Sequence, residues 1–224
     1  EYPGIRNYWF PDYLADLDAL FDQLSPNEPV HLLGHSMGAN IAMLYAGIRP
    51  ERIQTLINLE GFGMLQTETS AIPSRYAKWL DELKKPTASL RPFPNLTEVA
   101  KRLQKTNYRL SDDKAIFLAQ HWAREVSPGE YRLLGDPVHR VPGPLPYHLA
   151  DVQAIWSNIT APVLHVEAAQ TEAALWLSRA GEAVDFDAFR TRFHCIPDWA
   201  FARVEEAGHM LHHDQPLAVA DLIE

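Results

Sequence analysis

The feature that most constrains the fold is a serine placed between an apolar strand and a helix. Residues 29–33 form a short apolar run, a helical pattern follows to about residue 49, and a second apolar run covers 53–59. Strand, helix and strand in this order predict a βαβ unit, whose two strands lie parallel. The turn between the first strand and the helix reads Gly34-His35-Ser36-Met37-Gly38.

This turn matches the G-x-S-x-G pattern of a nucleophilic serine. A sharp turn would present the Ser36 hydroxyl at the carboxyl end of the sheet, and glycines at 34 and 38 would let strand and helix approach closely. The N–H of Met37 would stand at the helix N-terminus, where it can face a developing oxyanion. We therefore expect Ser36 to be a nucleophile and Met37 to supply an oxyanion-hole N–H.

A nucleophilic serine needs a base, and His209 is the best placed of the ten histidines. It lies in the loop between a predicted strand at 199–205 and a predicted helix at 216–222. That loop is at the carboxyl edge of the sheet, where Ser36 is also expected. The chain order of serine before histidine suits a Ser–His–acid triad.

The other histidines near this site have simpler explanations. His212 and His213 are predicted to be solvated loop residues, whereas His31 and His35 are predicted to point away from Ser36. No acidic or cysteine ligands cluster around them, and the chain has one cysteine, Cys195. We therefore expect no metal site.

The rest of the chain predicts an α/β fold with a mainly parallel sheet, flanking helices and a helical insertion. Residues 1–63 and 161–224 are assigned to the core, and 64–160 to the insertion. Proline-rich joints separate the helical stretches predicted within the insertion, at 74–83, 96–104, 112–124 and 149–158. In the core, a strand is predicted at 162–166 and a helix at 173–180.

Three segments together resemble the α/β-hydrolase superfamily: the turn at 34–38, Ala207-Gly208-His209, and Ile159-Thr160-Ala161-Pro162-Val163-Leu164. The resemblance covers nearly the whole chain. It implies that insertion 64–160 is a cap domain, and that Ser36 and His209 act with an acid on a small-molecule acyl substrate without a cofactor. The aromatic residues of the insertion would line an acyl pocket or pack its own core.

The acid is where the chain departs from the superfamily. There it usually follows the strand that corresponds to 162–167, which puts Thr171 in the aspartate position and Glu172 one residue later. A second known position is the end of the preceding strand, which here is Glu60. Adjacent parallel strands would bring Glu60 close to Ser36, so we favour Glu60 as the partner of His209 and keep Glu172 as the alternative. A Ser–His pair without a direct acid is the third reading.

The resemblance also implies strands upstream of the first predicted helix, at 12–24. The chain opens at Glu1 without a signal-peptide pattern. We therefore expect an N-terminally truncated fragment that lacks on the order of 60–80 residues, among them the second oxyanion donor.

Composition limits the partners. The chain carries 20 Lys and Arg against 29 Asp and Glu, a net charge of −9, which argues against nucleic acid or an anionic membrane surface. No apolar run approaches the roughly 20 residues of a membrane span. We expect a cytoplasmic serine hydrolase that cleaves an ester or related acyl bond. The alternative is a non-catalytic small-molecule-binding protein on the same fold.

Overall fold

A computed structural model describes residues 7–85, 90–177 and 185–224. The strands are β1 Val30–His35, β2 Ile53–Leu59, β3 Ala123–Ser127, β4 Glu130–Leu133, β5 Val163–Ala168 and β6 Trp199–Val204. The helices are α1 Phe10–Leu24, α2 Met37–Ile48, α3 Ile72–Lys84, α4 Leu96–Thr106, α5 Asp112–Trp122, α6 Leu149–Trp156, α7 Ala174–Leu177, α8 Phe186–Arg190, α9 Leu211–Asp214 and α10 Pro216–Ile223. Of the helix predicted over 173–180, residues 178–180 lie outside the described residues.

Four strands form a parallel sheet in the order β1-β2-β5-β6. His35 pairs with Leu59, Leu59 with Val166, and Ala168 with Val204. The strands therefore end at one edge of the sheet, and the residues that follow them are brought together there. The predicted α/β class with a mainly parallel sheet is confirmed.

The centre of the sheet is buried. Leu59 and Val166 on the two middle strands are almost fully buried, as are Ala39 and Met43 on α2. Middle strands of a parallel sheet are covered on both faces, which explains why four of the seven residues of β2 and four of the six residues of β5 are apolar. This packing gives the strand ends a rigid base.

Contacts divide the chain into two compact units, each described here by itself. The sheet unit contains Trp9–Ser70 and Pro146–Glu224, and the insertion unit contains Ala71–Leu145 with residues 7–8. Helix α6, which the sequence assigned to the insertion, falls in the sheet unit, because Trp156 is buried in the core around Phe193. The role of residues 64–160 as a cap stays a prediction.

The insertion unit contains a hairpin that the sequence analysis missed. β3 and β4 pair antiparallel where we had extended a helix to residue 124 and assigned no strands. The turn at Pro128-Gly129 places Gly129 at φ +73°, a conformation that glycine adopts without cost. Pro-Gly between two short runs is a turn signal that could have indicated the hairpin. Of the helices in the described part of the chain, none is both long and apolar enough to cross a membrane.

Candidate active site

Ser36 stands on a strained turn between β1 and α2. Its backbone has φ 55° and ψ −117°, and its N–H donates to the Leu59 carbonyl at 2.8 Å. A Cβ at Gly34 would lie 2.5 Å from the Gly38 carbonyl oxygen, whereas a Cβ at Gly38 would meet nothing within 4 Å. The close approach therefore needs a glycine at 34 only, and the steric reason that we gave for Gly38 is wrong.

Glu60 stands on a second strained turn, directly after β2. Its φ is 57°, and its N–H donates to the Val166 carbonyl at 2.9 Å. The buried Asn58 amide closes this turn, because it accepts the Gly61 N–H at 2.8 Å and donates to the Gly61 carbonyl at 2.9 Å. Residues that hold a positive φ without being glycine cluster at functional sites.

His209 bridges these two turns. Its Nε2 lies 2.9 Å from Ser36 Oγ, and its Nδ1 lies 3.1 Å from Glu60 Oε2. The Glu60 side chain is fully buried, and that of His209 is 13 % exposed. The structure thus brings the serine, the histidine and one of the two candidate acids into a single line of hydrogen bonds. Their catalytic roles stay predictions.

Two further donors hold the Glu60 carboxylate. Ala168 N–H donates to Oε1 at 2.7 Å, and the Thr171 hydroxyl donates to Oε2. Thr171 Oγ1 in turn accepts the Ala173 N–H at 3.1 Å, which leaves the hydroxyl hydrogen to point at Glu60. Both oxygens of this buried carboxylate therefore have hydrogen-bond donors. The sequence analysis found Thr171 only as the residue in the usual aspartate position and gave it no role.

Glu172 contacts the main chain of His209. Its Oε2 accepts the main-chain N–H of His209 at 2.8 Å. The carboxylate one residue past the usual acid position therefore holds the backbone of the histidine loop, while Glu60 accepts from the imidazole.

The histidines around the site make contacts that the sequence analysis did not predict. His35 Nε2 lies 2.7 Å from the His209 carbonyl oxygen. The prediction that His212 and His213 are solvated loop residues is wrong, because both are half-buried and belong to α9. The ring centroid of His212 is 4.4 Å from that of His35. Burial lowers the pKa of His35 to about 4. Burial, followed by the charges of the neighbouring histidines, lowers the pKa of His212 to about 3.

Met37 is the first residue of α2. Its N–H belongs to the first turn of the helix, where N–H groups have no intrahelical acceptor. This places a donor beside Ser36, as the sequence predicts. Within the described ranges, no group of three or more His, Cys, Asp or Glu side chains could hold a metal ion.

The insertion aromatics do not share one environment. Phe93 and Tyr131 pack against the insertion core, whereas Tyr108 and Phe117 are mostly exposed. A cavity of about 420 Å³ within the insertion unit is lined by both apolar and polar side chains, among them Leu90, Trp122, His121 and Arg140. An acyl pocket formed by these aromatics stays a prediction.

Comparison with known proteins identifies the family of this chain. Residues 6–222 match the model of the alpha/beta hydrolase family. The chain belongs to that family. This confirms the resemblance on which the roles of Ser36 and His209 were predicted, although the match does not test those roles.

Individual relatives are moderately similar. A serine hydrolase-like protein from Danio rerio is 32 % identical over 126 residues, which is 54 % of this chain and 38 % of that protein's length. The thioesterase domain from the curacin biosynthetic pathway is 27 % identical, with a TM-score of 0.75 over 96 % of this chain and 73 % of its own. A hypothetical protein from Pseudomonas aeruginosa PAO1 is 25 % identical, with a TM-score of 0.79 over 98 % and 73 %.

Proposed function

We propose that this alpha/beta hydrolase is a serine hydrolase that cleaves a carboxylic ester or thioester through an acyl-enzyme. The observation that carries the proposal is the unbroken line from Ser36 Oγ through both nitrogens of His209 to Glu60. A nucleophile, a base and an orienting carboxylate in hydrogen-bond reach of one another are what acyl transfer requires.

The reaction has two halves. In the first, Ser36 Oγ attacks the acyl carbonyl carbon while its proton moves to His209 Nε2. Glu60 holds the Nδ1–H of His209 and stabilises the imidazolium, and the Met37 N–H donates to the oxyanion. His209 then gives the proton to the leaving alcohol or thiol, and the acyl group stays on Ser36. In the second half, water attacks the acyl-enzyme, and the same groups release the carboxylic acid and restore the Ser36 hydroxyl.

The relatives support this substrate class. The Danio rerio protein is described as serine hydrolase-like, and the curacin domain as a thioesterase. Both descriptions fit chemistry at an acyl carbonyl. We therefore propose acyl esters and thioesters as the substrate class.

The test is Ser36→Ala in the purified protein. We expect loss of labelling by a fluorophosphonate and a fall of at least about 10⁴-fold in hydrolysis of a short-chain p-nitrophenyl ester, because the nucleophile is removed. Hydrolysis of an acyl thioester by the unmodified protein and by Ser36→Ala tests thioesterase activity in the same way. Ser157→Ala is the matched control, since the hydroxyl of this exposed serine donates to the Ala154 carbonyl three residues earlier.

Retained labelling of Ser36→Ala would show that another serine is the nucleophile. If the unmodified protein is neither labelled nor active on either substrate, the alternative of a non-catalytic binding protein replaces the proposal.

A further inference from the structure

The main chain of His209 is held on both sides by side chains from other elements. Its N–H donates to Glu172 Oε2 at 2.8 Å, and its carbonyl oxygen lies 2.7 Å from His35 Nε2. A carbonyl oxygen only accepts, so His35 Nε2 must carry the hydrogen and donate. Both polar groups of one residue in a loop are therefore paired with side chains.

The neighbouring residue is held in the same way. Gly208 N–H donates to Asp214 Oδ2 at 2.8 Å, in a buried contact. Asp214 ends α9, which follows the same loop, whereas Glu172 and His35 belong to the ends of other strands. Glu172 follows β5, and His35 is the last residue of β1 and directly precedes Ser36. The main chain of His209 is thus tied to the residue before the proposed nucleophile.

These contacts set the distance on which the proposed reaction depends. His209 Nε2 is 2.9 Å from Ser36 Oγ, and a shift of about 1 Å in such a geometry can cost on the order of a hundredfold in rate. The nitrogens of the imidazole bond to groups that take part in the chemistry, and its ring centroid lies 4.8 Å from that of His35. The position of the ring relative to Ser36 therefore depends on its backbone.

We propose that Glu172 and His35 are positioning residues that clamp the main chain of His209, and that Glu172 is not the triad acid. This rests on the proposed function. An ionised carboxylate forms a stronger hydrogen bond to an N–H than a neutral acceptor does. The neutral state of His35 at pH 7, given its pKa of about 4, suits a single donor at Nε2.

A residue that clamps the main chain and a residue that acts as the triad acid respond differently to the same substitutions. Glu172→Gln keeps an amide oxygen that can accept the His209 N–H, whereas Glu172→Leu keeps the size and removes the acceptor. We expect Glu172→Gln to stay within about threefold of the unmodified kcat. We expect Glu172→Leu to lower kcat roughly ten- to hundredfold with KM changed less than about twofold, because the clamp would not contact substrate.

Glu60 gives the contrasting pattern. Glu60→Gln removes the charge that the reacting histidine needs, so we expect kcat to fall by about 10³- to 10⁴-fold even though the shape is kept. His35→Gln and His35→Leu form the second pair, in which the glutamine keeps a donor and the leucine does not. Glu205→Leu, at an exposed carboxylate just after β6, is the control for loss of charge near this loop.

A readout independent of activity completes the test. Hydrogen exchange of the His209 amide, measured by NMR, should be slow in the unmodified protein and in Glu172→Gln, and at least about tenfold faster in Glu172→Leu. Fast exchange in the unmodified protein would overturn the clamp. A protected amide in Glu172→Leu would overturn it as well.

The kinetic and exchange results separate this inference from the proposed function. If the kcat of Glu172→Gln falls as far as that of Glu60→Gln, Glu172 acts as the triad acid and the inference is wrong. If Glu172→Leu loses protection of the amide but keeps its kcat, the clamp does not position His209. If the unmodified protein is inactive, the proposed function fails and the positioning role fails with it, while amide exchange alone decides whether the clamp exists.

Discussion

At the scale of single residues, the site is built on two backbone conformations that are costly for residues other than glycine. Ser36 and Glu60 both have a positive φ, 55° and 57°, and each directly follows a strand of the parallel sheet. Each also donates its N–H to the next strand, to Leu59 and Val166 respectively. The same local geometry thus presents the serine and the carboxylate at one edge, with His209 between them.

The half-buried histidines beside this site, His35 and His212, predict a loss of folding stability in weak acid. In the unfolded chain a histidine takes a proton near pH 6.5, whereas in the folded protein His35 does so near pH 4 and His212 near pH 3. Below pH 6.5 the unfolded state therefore binds more protons, and folding stability falls as the pH falls, until the folded pKa is reached. At pH 5 each histidine should lower the free energy of unfolding by on the order of 2 kcal/mol relative to pH 7.5.

Urea unfolding of the unmodified protein and of His212→Gln at the two pH values measures this effect. The substituted protein should lose on the order of 2 kcal/mol less between pH 7.5 and pH 5. His31→Gln is the control, because His31 is exposed. An equal loss in all three proteins would show that His212 takes up its proton in the folded state near the ordinary pH.

At the scale of elements, a buried charge cluster joins β5 to α8. The Glu167 side chain is 3 % exposed, and its Oε1 lies 3.1 Å from both His165 Nε2 and Arg190 Nε. Burial raises the pKa of Glu167, but the hydrogen bonds and charges of His165 and then Arg190 outweigh it and hold the pKa below its ordinary value. The contribution of Glu167 to stability is therefore present above its unfolded pKa and lost as the pH falls below it.

This buried cluster predicts that loss of Arg190 lowers the free energy of unfolding more than loss of an exposed arginine does. Arg190→Met keeps apolar cover over the Phe201 ring, which the guanidinium contacts at 4.8 Å, but leaves Glu167 with His165 as its remaining partner in the cluster. We expect a loss of about 3 kcal/mol in the free energy of unfolding, since a buried carboxylate loses a partner that is always charged. Urea denaturation at pH 7 measures it.

Arg132→Met is the control for that change, because Arg132 pairs with Glu130 on the exposed hairpin, where its side chain is 55 % exposed. The free energy of unfolding of Arg132→Met should lie within about 0.5 kcal/mol of that of the unmodified protein. Equal losses for Arg190→Met and Arg132→Met would contradict a special role for the buried pair.

At the scale of the whole molecule, the two compact units have their own hydrophobic clusters. The sheet unit is built around Phe193, Trp156 and Met43, and the insertion unit around Val99, Leu103 and Ala119. Buried clusters of this kind set the free energy of local opening. We therefore expect the free energy of local opening in each unit to depend on that unit's own hydrophobic cluster.

Leu103→Ala tests this expectation. Removal of a buried leucine side chain should cost about 2–4 kcal/mol within the insertion unit, so amides of α4 and α5 should exchange faster. Amides of α2 and β5 should keep their rates. Equal acceleration in α2 and β5 would show that the chain opens as a single cooperative unit.

The sequence by itself determined the features that depend on local chemistry. The strand, the turn at Ser36 and the helix that follows are encoded within one segment, so the turn was predicted with its neighbours. β2 was predicted at its observed bounds, because its apolar residues begin at Ile53 and end at Leu59. The family followed from these motifs and their order along the chain.

Only the tertiary structure decided which carboxylate faces His209. Glu60 and Glu172 are far apart in the chain, and each follows a strand of the same sheet, so local sequence gave no reason to exclude either. The pairing of β2 with β5 places Ala168 N–H and the Thr171 hydroxyl around Glu60. Glu172, one residue past Thr171, reaches the His209 main chain instead. A one-residue offset in a loop changes a side chain's partner completely, and hydrogen-bond geometry on that scale is set by packing between distant segments.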